Sequence, residues 1–243
     1  MRVFGRGRIA LGVLAALAWA SAARAQECAP APAIDPRIQF DLQQPASKAG
    51  REAAMKAEKV WAAPRLKYGV CRRAEIDAMG TRVNALGAQV NAIVDEVAPL
   101  DRKLRAARAE RDKAFEAFAK KRKVKPSDLP IAARTPVTPL APPCPAAPVV
   151  TTLKAFPRGD KANARDMRRA DEALRGWSDP LEAYLVCRKT ERDALAASYK
   201  AAKDRYDSAQ TDFAVYRAAF NAVVARFETD IGVYTAAIDK TGR

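Results

Sequence analysis

The 243-residue chain contains no histidine, only four cysteines and only 11 glycines. Without histidine it cannot form a Ser-His-Asp triad, a Cys-His pair or a histidine metal site. It also has no glycine-rich phosphate loop, and after residue 25 no run is long and apolar enough to span a bilayer. These absences predict a non-enzymatic protein with no cofactor and no metal, and they leave an enzyme of unrecognised type as the least favoured class.

The first 25 residues have the pattern of a secretory signal peptide. Arg2, Arg6 and Arg8 precede an uncharged apolar run over 9–23, and small residues flank Arg24 just before Gln26. The apolar run is shorter than the roughly 20 residues that a membrane span needs. We therefore predict a signal peptide over 1–25 and a product that is periplasmic or secreted after cleavage, with no transmembrane segment.

The charge balance is strongly basic. The chain has 43 Lys and Arg against 28 Asp and Glu, and four of the basic residues but none of the acidic ones lie in 1–25, so a net charge of +11 remains after cleavage. A cationic surface attracts anionic partners over a distance that salt screens. In a bacterial envelope such partners are a protein with an acidic surface, an anionic polymer or an anionic lipid, and no nucleic acid is expected.

The four cysteines reveal an internal repeat. Cys28 and Cys71 are 43 positions apart, as are Cys144 and Cys187, and the two pairs are offset by 116. With the same offset, nine of eighteen residues agree between 61–78 and 177–194, where unrelated sequences agree at about one. We therefore expect one repeat over 26–122, a Pro-rich linker over 123–143 and a second repeat over 144–243.

An even number of cysteines in an exported chain predicts disulfides, and four cysteines allow three pairings. The duplication favours Cys28 with Cys71 and Cys144 with Cys187, because a repeat that once stood alone contained only its own two cysteines. A four-thiolate zinc site is the alternative. It is disfavoured because no two cysteines are closely spaced.

Each repeat is predicted to consist of a Pro-containing irregular segment, a short helix and a long helix, which makes the fold all-α. The short helices are expected over about 47–62 and 161–177, and the long ones over about 65–122 and 180–229. A Trp-x-x-Pro sequence separates them, and Asp179 is the expected N-cap of the second long helix, with Pro180 at its first position. Pro99 is expected to kink or split the first long helix, and we favour the kink.

Each long helix carries an apolar seam with alternating spacings of three and four residues, which is typical of a coiled coil. The first seam is Ile76, Met79, Val83, Leu86, Val90, Ile93, Val97, Leu100, Leu104 and Ala107. The second is Leu195, Tyr199, Ala202, Tyr206, Ala209, Phe213, Tyr216, Phe220, Val223 and Phe227. Parallel pairing, antiparallel pairing and self-association with another molecule all remain open.

Two groups of residues are candidate binding surfaces. The first is an aromatic and basic cluster present in both repeats, formed by Trp61, Tyr68 and Arg72 and by their copies Trp177, Tyr184 and Arg188. Its alternative role is to pack a turn onto the adjacent helix. The second is the basic run Lys120, Lys121, Arg122, Lys123 and Lys125, whose alternative role is that of a solvated helix end.

Two acidic residues follow the second cysteine of each repeat, Glu75 with Asp77 and Glu191 with Asp193. A general acid-base role for them is disfavoured, because residues two apart on a helix point to different faces. The favoured function is a coiled-coil scaffold or interaction module of the cell envelope whose basic surface contacts an anionic component or a protein. The alternative is a periplasmic binding or chaperone-like protein that holds an anionic ligand or client.

Overall fold

The computed structural model describes residues 28–42, 45–132, 140–149 and 155–241, so the predicted signal peptide lies outside the described residues. Two long helices dominate it: α1, Lys48–Arg122, and α2, Ala164–Thr241. A single 3-10 turn, Pro126–Asp128, follows α1, and the described ranges contain no strand. The all-α prediction is confirmed.

The predicted division into a short and a long helix is wrong in both halves of the chain. Each pair is one continuous helix that runs through Pro64 and Pro99 or through Pro180, and Asp179 lies inside α2 instead of capping it. All three prolines are exposed, so water can solvate the carbonyl group that each leaves without a helical partner. Buried side chains on both sides of Pro180, such as Leu174 and Leu181, would lose their packing if the helix ended there.

Other residues cap the two helices. Ser47 precedes α1, and its Oγ accepts the backbone N–H of Gly50 at 3.1 Å. Asn163 precedes α2, and its Oδ1 accepts the N–H of Asp166 at 2.8 Å. At the C-terminus of α1, Lys123 adopts a left-handed φ of 55°, and the next residue returns its N–H to a carbonyl of the last turn. These caps place the helix ends outside the Trp-x-x-Pro sequences.

Both predicted disulfides are present. Cys28 pairs with Cys71 and Cys144 with Cys187, and the Cα atoms are 5.8 Å apart in each. Each bridge joins an irregular segment to a helix, at residues 28–42 for α1 and at 140–149 for α2. The disulfides therefore fix the irregular segments, which have little secondary structure of their own.

The described chain divides into two compact units, and each combines parts of both predicted repeats. Unit 1 contains α1 up to Val83 and α2 from Ala202 onward. In it, Tyr68 contacts Tyr216, and an added Cβ on Gly80 would lie 3.2 Å from the Tyr206 ring. Residue numbers that rise along α1 fall along α2, so the two helices are antiparallel in this unit.

Unit 2 contains residues 84–201, and its helices are also antiparallel. A Cβ on Gly87 would lie 3.3 Å from the ring of Tyr199, while Arg111, further along α1, pairs with Asp171, which lies earlier on α2. At Gly159 an added Cβ would lie 1.9 Å from a carbonyl oxygen of α1, so only glycine allows this close approach.

Asp171 organises the polar interior of unit 2. Its side chain has no exposed surface and accepts Arg111 Nε at 2.6 Å, Arg175 Nε at 3.3 Å and the backbone N–H of Ala132 at 2.9 Å. Burial lowers the pKa of Arg111, but its hydrogen bond and charge interaction with Asp171 outweigh burial, so that the pKa is raised. The buried carboxylate thereby ties the chain beyond the 3-10 turn to both helices.

All residues of the two predicted seams are buried or partly buried. Among them, Ile76 packs with Ala209 and Phe213 in unit 1.

None of the helices in the described ranges combines the length and the apolar character that a membrane span requires.

Candidate binding groove

The predicted aromatic residues of the first repeat pack against other rings in unit 1. Trp61 stacks on Phe220 with centroids 5.5 Å apart and an interplanar angle of 1°, and the edge of Phe40 lies 5.8 Å away. Tyr68 meets Tyr216 edge-on at 4.8 Å. These contacts join α1, α2 and the irregular segment, which is the packing role that the sequence left open.

The arginines of the predicted clusters are ion-paired. Arg72 Nη1 lies 2.6 Å from Glu75 Oε2. In unit 2, Arg188 and the hydroxyl of Tyr184 both contact the carboxylate of Glu96. Burial lowers the pKa of Arg188, but its hydrogen bonds to carboxylates outweigh burial and raise it. The second copy of the cluster, formed by Trp177, Tyr184 and Arg188, is buried or partly buried.

The predicted basic run lies at and just beyond the C-terminus of α1, and all its members are exposed: Lys120, Lys121, Arg122, Lys123 and Lys125. Arg122 Nη2 donates to the carbonyl of Ala162 at 3.3 Å. The remaining four side chains are lysines, which interact favourably with the negative end of the helix dipole.

A groove that the sequence did not single out opens between α1 and α2 in unit 1, with a volume of about 280 Å³. We call it the arginine groove. Its α1 side is formed by Arg65, Leu66, Gly69, Val70 and Arg73. Its α2 side is formed by Phe213, Tyr216, Arg217, Phe220 and Asn221.

Aliphatic side chains are unusually exposed at this groove. Leu66 is 56% exposed and Val70 is 75% exposed. The two residues are four positions, about one helical turn, apart on α1. Gly69 lines the groove at a point where there is open space, since a Cβ added there would meet no atom within 4 Å. Adjacent exposed apolar side chains in a concave site are typical of a surface that binds a partner.

Three arginines surround this apolar surface, and none of them is ion-paired within the described part of the chain. Arg65 lies over the ring of Trp61 at 4.2 Å, and its guanidinium donates to the backbone carbonyls of Trp61 and Ala33. Arg217 lies 5.9 Å from the centroid of Phe213, and Arg73 is exposed. The guanidinium groups of Arg73 and Arg217 are therefore available to a carboxylate of another molecule, and Arg65 adds its positive charge to the same surface.

Beneath the groove, three buried polar atoms have no hydrogen-bond partner in the described chain: Trp61 Nε1, Arg65 Nε and Tyr216 Oη. Burial raises the pKa of Tyr216, Arg65 lowers it by a smaller amount, and Tyr68 adds to the increase. The main cause of the increase is burial, which disfavours the charged phenolate.

A second hollow of about 490 Å³ adjoins the arginine groove and shares Arg73, Phe213 and Arg217 with it. Asp77 contributes the one carboxylate of its lining, and Gln210 adds a neutral amide. Between Arg65 and Asp77 the two openings follow α1 for about 18 Å at 1.5 Å per residue. The combined surface is elongated and predominantly cationic.

The acidic residues beside the second cysteine do not meet in this surface. Glu75 pairs with Arg72, whereas Asp77 lines the second hollow. Across the described ranges, no group of three or more potential metal-binding side chains is assembled. The chemistry that the groove offers is recognition of an anion beside an apolar surface.

Sequence reasoning missed Arg65, Arg73, Arg217 and Gly69 because it searched for residues shared by the repeats. At the offset of 116, Arg65 corresponds to Leu181 and Arg217 to Asp101. Arg65, Gly69 and Arg217 thus differ between the repeats, and the change of charge at matched positions is the sequence signal for Arg65 and Arg217. Arg73 carries no such signal, because it corresponds to Lys189.

Comparison with protein-family models, with curated proteins and with solved structures found no match to this chain.

Proposed function

We propose that the chain is an exported, non-enzymatic interaction module of the bacterial cell envelope that binds an anionic partner through its basic surface. The observation that carries this proposal is the arginine groove, where three arginines border exposed aliphatic side chains and lack a carboxylate partner in the described chain. An arginine without an acidic partner in its own chain is free to form a strong, charge-assisted contact with another molecule.

Export to the periplasm or beyond is supported by the signal-like N-terminal sequence and by the two disulfides. Disulfides form and persist in oxidising compartments such as the periplasm, and they are uncommon in the cytosol. The proposal of a non-enzymatic role rests on the composition, which lacks histidine.

We further propose that the two helices form an antiparallel coiled coil that arose by duplication, and that this coiled coil is the scaffold of the groove. Two glycine-tyrosine contacts support it. Gly80 of α1 lies against Tyr206 of α2, and Gly87 lies against Tyr199. Between these two contacts the residue number rises by seven, which is one heptad, on α1 and falls by seven on α2. An antiparallel heptad pairing requires that relation.

The test is co-sedimentation of the oxidised, signal-free chain with cell-wall sacculi and with outer-membrane vesicles, together with binding to soluble polyglutamate, across a salt titration. We expect at least one of these anionic probes to bind at about 0.05 M salt and to be released at about 1 M, where the Debye length has fallen to about 3 Å. No binding to any of the three at low salt would overturn the proposal.

Two charge-reversal variants locate the contact. Arg73→Glu with Arg217→Glu removes charge from the groove, and we expect it to weaken binding. Lys103→Glu with Lys113→Glu makes the same change in net charge at exposed positions of unit 2 and serves as the control. Equal losses in both variants would mean that total charge, and not the groove, determines binding.

A further inference from the structure

The predicted repeat supplies an internal comparison for the arginine groove. At matched positions, Arg65 is replaced by Leu181, Gly69 by Leu185 and Tyr216 by Leu100. Leu181 is 1% exposed and the other two leucines are partly buried. Leucine therefore fills the matched positions in unit 2, whereas glycine and two polar residues occupy them in unit 1.

Of the two exposed aliphatic residues of the groove, Leu66 differs between the repeats in the same direction, whereas Val70 corresponds to Val186, which is also exposed. Leu66 corresponds to Glu182, which forms an ion pair with Arg108 in unit 2. A polar side chain is the ordinary choice at an exposed helix position, and the second repeat has one. In the first repeat, a leucine that is 56% exposed occupies this position beside unpaired arginines.

The distribution of charge identifies the chemistry of the occupant. Arg65 and Arg73 on α1 and Arg217 on α2 are spread along the groove, and Leu66 and Val70 lie between the first two. An anionic lipid carries its charge at one end and its apolar chain at the other, so it matches this alternation poorly. A glycan lacks the aliphatic side chains that would cover Leu66 and Val70.

The backbone around the groove favours a helical partner over an extended one. Both sides of the groove are α-helices whose backbone groups bond within the helix, so an extended peptide finds no strand edge to pair with. A helix satisfies its own backbone and presents apolar residues at spacings of three and four.

We propose that the arginine groove binds an acidic amphipathic helix of another polypeptide, with its apolar stripe on Leu66 and Val70 and its carboxylates on Arg73 and Arg217. This inference rests on the proposed function and names the class of its partner. The bound helix lies as a third helix against α1 and α2 of unit 1, where the aliphatic side chains of Leu66 and Val70 are already exposed.

The probe is a fluorescein-labelled synthetic 21-residue peptide with leucine at the two apolar heptad positions and glutamate beside them. One control peptide carries lysine in place of every glutamate, and a second contains two central prolines. Fluorescence anisotropy with the oxidised, signal-free chain should show the acidic helix binding about tenfold or more tightly than either control peptide, a difference of about 1.4 kcal/mol.

Matched protein variants test the site. Gly69→Leu places a side chain in the groove at a position where an added Cβ meets no atom within 4 Å, and Gly232→Leu makes the same change at another such position of unit 1. We expect Gly69→Leu to weaken binding of the acidic helix about tenfold and Gly232→Leu to change it less than about twofold. Arg73→Glu with Arg217→Glu should weaken it at least as much as Gly69→Leu.

Failure of the inference is distinguishable from failure of the proposed function. If sacculi, vesicles or polyglutamate bind in a salt-sensitive way but the acidic helix binds no better than its proline control, the inference is overturned and the proposed function stands. Equal binding by the Gly69→Leu and Gly232→Leu proteins also overturns it. A dimer in analytical ultracentrifugation that Gly69→Leu alone dissociates would place a second copy in the groove, and that result overturns the inference as well.

Discussion

Replacing Tyr216 with phenylalanine should stabilise the folded protein. The hydroxyl oxygen is buried beneath the arginine groove and has no hydrogen-bond partner in the described chain. In the unfolded chain the same hydroxyl is hydrated, so folding removes its water contacts without a replacement. Phenylalanine keeps the ring that meets Tyr68 at 4.8 Å and deletes only the atom that lacks a partner.

The expected gain is about 1 kcal/mol, at the low end of the 1–3 kcal/mol that an unsatisfied buried polar group costs. We use the low end because the side chain as a whole is only partly buried. For a chain of this size, that gain corresponds to a rise of about 2–4 °C in Tm. Urea denaturation followed by circular dichroism, together with thermal unfolding, measures both quantities.

Tyr234→Phe is the matched control with the opposite sign. Tyr234 is 3% exposed, and its hydroxyl oxygen accepts the backbone N–H of Ser47 at 3.1 Å. Removing that oxygen leaves the amide without this partner, so stability should fall by about 1 kcal/mol. A fall of similar size in Tyr216→Phe would refute the reasoning, because it would show that the Tyr216 hydroxyl has a partner after all.

The same substitution changes the response to alkaline pH. Burial raises the pKa of Tyr216 in the folded state above its ordinary value of about 10. The folded state therefore binds the proton more tightly, and this contribution to stability is fully present below pH 10 and is lost as the pH rises through the folded pKa. Tyr216→Phe should reduce the loss of stability above pH 10, and identical profiles would contradict this expectation.

Three further predictions concern the framework. Asp171→Ala leaves Arg111 without its buried carboxylate, so urea denaturation should show a loss of about 3 kcal/mol, and a loss below about 0.5 kcal/mol would contradict the proposed network. Pro64→Ala restores a donor at an exposed position inside α1, so the free energy of unfolding should rise by about 1–3 kcal/mol, whereas a decrease would show that proline is required there. Replacing Cys144 and Cys187 with serine should lower the free energy of unfolding by about 3–4 kcal/mol, and an unchanged value would show that the bridge does not constrain the unfolded chain.

Features with a simple sequence rule were predictable. Helix content, the pairing of Cys28 with Cys71 and the end of α1 at Arg122 follow from composition, from the repeat offset and from the Pro-rich sequence beyond. The continuity of α1 through Pro64 did not follow, because a local rule penalises proline in a helix regardless of what the rest of the helix packs against. Packing of residues on both sides outweighs that penalty here.

The groove was less accessible to sequence reasoning than the fold. Conserved features of the two repeats, such as Trp61 and Arg72, serve packing and ion pairing, while the unpaired charges lie at Arg73 and Arg217. Whether an arginine is paired depends on which part of the other helix lies opposite. The direction in which α1 and α2 pair determines which residues lie opposite each arginine, and the sequence left that direction open.

The division into two units has a consequence for how the chain matures. Unit 2 is one continuous stretch, residues 84–201, so all of its contacts are available before residues 202–241 have been synthesised. Unit 1 joins the beginning of the described chain to its last forty or so residues, and such distant segments meet late in folding. The arginine groove joins residues 65–73 to residues 213–221, so it forms only after α2 has been synthesised at least as far as Asn221.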